Sequence, residues 1–258
     1  MTGSTHVKII GHRGGRLVWP ENGLTGFRAV STLGVDGVEF DVHPSSDGAL
    51  FVIHDPTLDR TTTATGPVSA RRGAELRVIA LRDGRGDTIP TLDAVLDVLG
   101  PPGFDLHVEI KLDAEGRRYP GIEARVLAAL TRRGLAERCV VTSFSPDVLV
   151  DLRRLAPGQR LLASVNQRSA DALGGFEQAL ARFTAVPIEY LAVEKSLLPT
   201  VMAQCRRHFE PEQLVAWVVN EAEDLSHWLA QPIGWLDTDR PDLALQLRPA
   251  PASLSDQS

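Results

Sequence analysis

The chain is expected to fold as one α/β domain, a closed (β/α)8 barrel with a small β-hairpin and loop insertion after its second strand. Three observations lead there. Short β-branched runs alternate with helical patterns along nearly all of the 258 residues, and such alternation implies βαβ units around a parallel sheet. The runs number eight, and about 250 residues is an ordinary size for an eight-stranded barrel. The residues able to do chemistry gather at the C-terminal ends of the first three runs, where parallel barrels place their active sites. An open doubly wound sheet could host most of these elements, but eight strands in succession fit closure better.

The first strand covers 7–11 and runs into Gly11-His12-Arg13-Gly14-Gly15. A helix over 24–33 follows, closed by Gly34. The second strand, 37–42, leads to an Asp47-Gly48 turn and a returning arm that reaches His54, a strong hairpin signal. With the turn centred between Asp47 and Gly48, Asp41 stands opposite His54, and a slip of one residue would reverse the face of His54. Residues 55–90 are too long for a simple βα connection and are rich in Arg, Gly and Thr, so they are expected as an insertion over the barrel mouth.

Helix 91–99 then follows Pro90 and stops at Gly100, before strand 105–111 and a helix over about 121–133 that ends at Gly134. Strand 138–144 precedes Ser145-Pro146-Asp147, which opens a helix with a capping residue and a proline at the first position. The remaining strands are 160–165, 190–195, 214–219 and 234–237, with helices at 199–209 and 221–230. The barrel thus occupies 7–248. Residues 249–258, rich in Pro, Ala and Ser, are expected to form a disordered tail.

A formal net charge of −6 with 43% hydrophobic and 23% charged residues is ordinary for a soluble domain. No basic stripe with interleaved aromatics suggests nucleic acid. No apolar run approaches the roughly 20 residues that span a bilayer, and the early entry into Val7-Lys8-Ile9-Ile10 leaves no expectation of a signal core. A stable membrane association is not expected, and the location is expected to be cytoplasmic. Cys139 and Cys205 lie outside any Cys-x-x-Cys motif and read as buried free thiols.

Alternation along a strand puts Glu39 and Asp41 on one face and Val38, Phe40 and Val42 on the other; Glu109 and Lys111 likewise share a face. Glu39, Asp41 and Glu109 could offer three carboxylate oxygens to one cation, and hard oxygen ligands favour Mg²⁺, Ca²⁺ or Mn²⁺ over zinc. His12 and His54 suit a general acid and a general base near neutral pH. Arg13 and Lys111 beside a carboxylate-bound metal suit a phosphate. Taken singly, each has a plain structural reading, such as an ion pair for Glu109 and Lys111. Their convergence favours a site. His6, His208 and His227 read as surface residues, and His43 and His107 are not needed for it.

These residues also carry a family resemblance. His12-Arg13-Gly14, Pro20-Glu21-Asn22, Glu39-Phe40-Asp41-Val42, Asp47-Gly48, His54-Asp55, Arg60-Thr61-Thr62 and Glu109-Ile110-Lys111 resemble, in order, the signature of glycerophosphodiester phosphodiesterases. Ser143-Phe144-Ser145-Pro146, Trp217-Val218-Val219-Asn220 and Thr238-Asp239-Arg240-Pro241-Asp242 extend the resemblance over nearly the whole chain. It implies a TIM barrel that hydrolyses a small-molecule glycerophosphodiester to glycerol 3-phosphate and an alcohol with one divalent cation, Mg²⁺ or Ca²⁺, with Mn²⁺ as a further option. His12 and His54 match the acid/base pair. Glu39, Asp41 and Glu109 match the metal ligands, Arg13 and Lys111 the phosphate contacts, and Trp217 an aromatic at the substrate pocket. In the mechanism implied, one histidine deprotonates the glycerol 2-hydroxyl for attack on phosphorus and the other protonates the leaving alcohol; direct attack by water is equally compatible with the residues.

The chain departs from the family pattern at Gly23, where threonine is usual, at Ser45-Ser46, and at Val218. Gly23 is expected to loosen the loop after the first strand. Three other readings are open. A phosphodiesterase of the same barrel type could act on a sugar phosphodiester or a lysophospholipid, although the Thr/Gly/Arg-rich insertion favours a soluble substrate. A catalytically silent phosphate-binding barrel would not need both histidines and three carboxylates. A metal-dependent amidohydrolase could use Asp237 and Asp239, but it would call for a His-x-His pair where only His12 stands.

Overall fold

A computed structural model describes residues 6–101 and 103–249. The first half contains β1 (Lys8–His12), α1 (Leu24–Val30), β2 (Gly37–Pro44), β3 (Leu50–Val52), the single turn α2 (Gly73–Leu76), α3 (Leu92–Leu99), β4 (Asp105–Ile110) and α4 (Ile122–Arg132). The second half contains β5 (Cys139–Ser143), α5 (Pro146–Leu155), β6 (Arg160–Val165), α6 (Gln167–Ala172), α7 (Phe176–Thr184) and β7 (Tyr190–Glu194). It finishes with α8 (Leu198–Cys205), β8 (Leu214–Trp217), α9 (Ala222–Leu229), β9 (Trp235–Thr238) and α10 (Pro241–Leu247). Every strand but β3 pairs in parallel, and the β1–β2 and β1–β9 pairings close the ring. The fold is the expected (β/α)8 barrel. The expected tail lies outside the described residues except for Pro249.

Strand alternation sorts the barrel into two cores. Outward-facing Val38, Phe40, Val42, Val108 and Ile110 pack against the helices, with Phe27 of α1 set edge-on to Phe40 at 5.8 Å. Inside, Ile10, Val140, Leu162, Ala192, Val215 and Trp235 form an apolar plug. Two residues further along the strands the inner positions turn polar: His12, Glu39, Glu109, Thr142, Ser164, Trp217 and Asp237 line a cavity at the C-terminal mouth. The period-2 rule thus sets the polar layer on top of the apolar one.

His107 sits in the inner wall, 2% exposed, edge-on to Trp235 at 5.3 Å and with no partner for Nε2. Burial pulls its pKa from the ordinary 6.5 down to about 4, against the pull of Asp105. The unfolded chain therefore binds a proton that the folded chain refuses between these values. The neutral ring contributes stability in full above about pH 6.5, and about 3 kcal/mol of it is lost as the pH falls to 4. Denaturant titrations from pH 4 to 7 are expected to show a shallower pH dependence for His107→Leu than for the parent. An unchanged dependence would count against this account.

Helix ends differ from expectation by a few residues: α1 stops at Val30 and α8 at Cys205. Ser145 caps α5 by position, with proline at the first turn, but its hydroxyl makes no capping hydrogen bond. The hairpin needs a larger correction. Val42 pairs with Val52, His43 with Phe51 and Pro44 with Leu50, so Asp41 faces Ile53, whose N–H donates to its carbonyl at 3.0 Å. The turn is longer than a two-residue Asp-Gly loop: Ser45 N–H donates to Ala49 O, and the Ser45 hydroxyl to Asp47 Oδ1. The register slips by one and His54 falls beyond the strand.

The insertion after β3 has its own small core of Phe51, Ile53, Leu58, Val68, Leu76, Leu81 and Ile89. It also caps α1. Asp87 Oδ2 accepts the Thr25 N–H at 2.8 Å and Oδ1 the Thr25 hydroxyl at 3.1 Å. A Cβ on residue 23 would lie 2.6 Å from Asp87 Oδ2. Gly23 therefore leaves room for a carboxylate that supplies the cap a glycine side chain cannot, and the loop is tied down rather than loosened. Both cysteines are free and buried, as expected. No helix among the described residues is long and apolar enough to cross a membrane.

Candidate active site

Three carboxylates meet at the mouth. One oxygen from each of Glu39, Asp41 and Glu109 lies within 4.8 Å of the others. Asp41 is fully buried and accepts from Asn22 Nδ2 at 2.9 Å, while Arg13 Nε lies 3.2 Å and Lys111 Nζ 3.3 Å from its oxygens. Lys111 also reaches Glu109 at 2.8 Å, and the Arg13 N–H donates to Glu39 at 3.2 Å. Burial opposes ionisation of Asp41, but Lys111, Arg13 and His54 outweigh it and hold its carboxyl well below the usual range. Glu39 moves the opposite way, raised by burial and by the charges of Asp41, Asp237 and Glu109. Negative charge is in excess here.

Each histidine is backed by an aspartate. His12 Nδ1 donates to Asp239 Oδ1 at 2.6 Å, and Asp239 also accepts from Arg16 Nε at 2.7 Å and Asn220 Nδ2 at 2.8 Å. Burial works against ionised Asp239, but the hydrogen bonds from His12 and Arg16 bring its carboxyl below the usual range. His54 Nδ1 donates to Asp55 Oδ1 at 2.6 Å, and Arg60 Nε donates to Asp55 Oδ2 at 2.6 Å. An ionised carboxylate only accepts, so both rings carry hydrogen on Nδ1 and offer Nε2 to the cavity. Burial, then Arg13, lowers the His12 pKa to about 4 against the pull of Asp239. His43 and Tyr119 stand behind His54: His43 Nε2 lies 3.0 Å from the His54 carbonyl and Nδ1 3.0 Å from the Tyr119 hydroxyl.

Glu21 joins the two halves. Its oxygens accept from Arg13 at 3.0 Å and from both terminal nitrogens of Arg60 at 2.8 Å, with Arg16 3.7 Å away. Arg60 holds Asp55, Arg16 holds Asp239, and Arg13 holds Asp41. One carboxylate thus orders the arginines that serve both histidine dyads and the acidic cluster.

The cavity measures about 650 Å³. His12, His54, Arg13, Lys111, Glu39, Glu109 and Trp217 line it, so the structure brings seven of the eight expected site residues to one surface; Asp41 lies beneath them. Trp217 is edge-on to Phe144 at 5.5 Å. The sequence reading missed the roles of Asp55, Asp239 and Glu21. Asp239 was discoverable: the first and last strands of a closed barrel are neighbours, and it lies just past the last.

The donor set suits a hard divalent cation. It consists of carboxylates only, and buried Glu39 Oε1 and Asp41 Oδ1 accept no hydrogen bond. Four carboxylates, with Asp237, face the two nearby cations Arg13 and Lys111, an imbalance a dication would correct.

Two histidine–aspartate dyads beside an acidic cluster and two phosphate-suited cations give this barrel mouth the equipment of a phosphodiesterase. Residues 12–243 match the model of the glycerophosphoryl diester phosphodiesterase family, and the chain belongs to that family. A glycerophosphodiester phosphodiesterase of Caldanaerobacter subterraneus subsp. tengcongensis is 28% identical over 244 residues, 93% of this chain and 96% of its own. A Mycobacterium tuberculosis protein assigned as glycerophosphodiester phosphodiesterase 1 is 32% identical, over 92% of this chain and 90% of its own. An Agrobacterium tumefaciens protein, assigned as a glycerophosphoryl diester phosphodiesterase, has a crystal structure that matches at a TM-score of 0.86 with 29% identity, covering 94% of this chain and 97% of that one.

Proposed function

We propose that the protein hydrolyses a glycerophosphodiester to glycerol 3-phosphate and an alcohol, using His12 and His54 as the acid/base pair and a divalent cation held by Glu39, Asp41 and Glu109. The observation that carries this reading is the convergence of both histidine dyads on one acidic cluster flanked by Arg13 and Lys111. The relatives named glycerophosphodiester phosphodiesterases support the substrate class.

Arg13 and Lys111 would hold the non-bridging phosphate oxygens, and Trp217 would pack against the bound diester. The bound cation, Mg²⁺, Ca²⁺ or Mn²⁺, would stabilise the charge that builds on phosphorus oxygens. His12, neutral at pH 7, can accept the proton of the attacking hydroxyl at Nε2. His54, closer to solvent, can return a proton to the leaving alkoxide. Asp239 and Asp55 keep both rings in the required tautomer. The free, buried cysteines suit the reducing cytoplasm in which we place the enzyme.

The test is an assay of glycerol 3-phosphate release from glycerophosphocholine and glycerophosphoinositol. Release of glycerol 3-phosphate from at least one of them is the expected result. Stoichiometric binding of either diester without turnover would make the protein a binder and overturn the proposal.

A further inference from the structure

We infer that the end of the cavity remote from the acidic cluster is a subsite for a leaving alcohol that itself carries a phosphate, received by Arg168 and Arg182; the inference rests on the diesterase reading above. From the acidic cluster the cavity extends past Phe144 and Trp217 to a rim formed by α5, α6 and α7. Arg168 of α6 and Arg182 of α7 line that rim. The carboxylate facing them from the same wall is Asp147, 3.4 Å from Arg182. Arg168 makes no hydrogen bond or ion pair among the described residues, so the rim has a surplus positive charge in a chain whose formal net charge is −6.

The neutral groups of the wall point the same way. The Trp217 indole N–H, a donor and never an acceptor, has no hydrogen-bond partner. Phe144 already faces the Lys111 ammonium, 5.9 Å from its ring centre, so a quaternary ammonium head would find one aromatic face shared and two guanidinium groups ahead of it. Guanidinium matches phosphate with paired hydrogen bonds. A substrate with two phosphates would be gripped at both ends: the diester by Arg13 and Lys111, the monoester by Arg168 and Arg182. Hydrolysis then breaks the bond from the diester phosphorus to the leaving oxygen. Water supplies the oxygen to phosphorus and a proton to the alcohol, which departs with its monoester intact.

Glycerophosphoinositol and glycerophosphoinositol 4-phosphate differ only in that monoester and form the matched probes. Both arginines are exposed, so the expected preference in kcat/KM for the phosphorylated probe is modest, about fivefold at low ionic strength, and smaller in 0.3 M salt. In Arg168→Glu, and in Arg168→Glu combined with Arg182→Glu, the ratio is expected to fall to about one or below; the single variant disturbs no partner and serves if the double one misfolds. Equal rates on the two probes in the parent, or a ratio that survives charge reversal, would overturn the subsite while leaving the diesterase reading in place. Failure to hydrolyse either probe or glycerophosphocholine would overturn both.

Discussion

His12→Ala and His54→Ala are each expected to lower kcat/KM on a glycerophosphodiester by about 10²–10⁴-fold, the usual contribution of a positioned acid or base. The two losses have the same origin but different structural settings. His12 is buried at the end of β1, and its removal leaves Asp239 still paired with Arg16 and Asn220, so no carboxylate is stranded. His54 lies at the mouth, and Asp55 keeps Arg60 in the alanine variant. Both proteins are therefore expected to remain folded, which near-ultraviolet dichroism and melting curves would check. The double variant is expected to lose little more than the worse single one, because residues acting as a unit are not additive. Activity within tenfold of the parent in either single variant would remove that histidine from the mechanism.

Removal of the proposed cation is expected to have an effect of similar size. Exhaustive chelation with EDTA is expected to abolish turnover, and Mg²⁺, Ca²⁺ or Mn²⁺ to restore it. Asp41→Asn tests the ligand set. Asp41 is the fully buried member of the cluster and the one both Arg13 and Lys111 address. Amide in place of carboxylate removes one negative charge from a site whose attraction for a dication is that charge. Losing several kcal/mol of transition-state stabilisation corresponds to at least about 10²-fold in rate. Calorimetric titration of the variant with the restoring cation should show weakened binding independently of activity. Full activity in the chelated enzyme would exclude a cation from the reaction.

Much of this was legible in the chain because the signals are local. Strand β5 lies where the β-branched Val140-Val141-Thr142 run placed it, and the shared face of Glu39 and Asp41, like that of Glu109 and Lys111, follows from alternation. The hairpin register was not legible, because Asp47-Gly48 marks where a turn falls and not how many residues it takes; a serine hydroxyl bonding to Asp47 lengthened it. No helix is expected between 165 and 190, because Gly174-Gly175 reads as a loop in the middle of that stretch; both glycines take positive φ and separate α6, of six residues, from α7, of nine. Asp239 reaches His12 across 227 residues, a contact that exists only once the ring has closed. Glu21 lies in the Pro20-Glu21-Asn22 motif, yet its role depends on three arginines from two separate loops.

The meeting of Gly23 with Asp87 has a consequence for anyone who would re-engineer the mouth. A threonine at 23 and a carboxylate at 87 compete for one volume, since the first atom of any side chain at 23 would fall 2.6 Å from the acid. The two positions form one lock assembled from distant stretches of chain. A mouth insertion grafted without a carboxylate at position 87 would leave Gly23 in place and the Thr25 N–H without its acceptor. Exchange of substrate-facing loops among these barrels is therefore expected to succeed in pairs and to fail piecemeal.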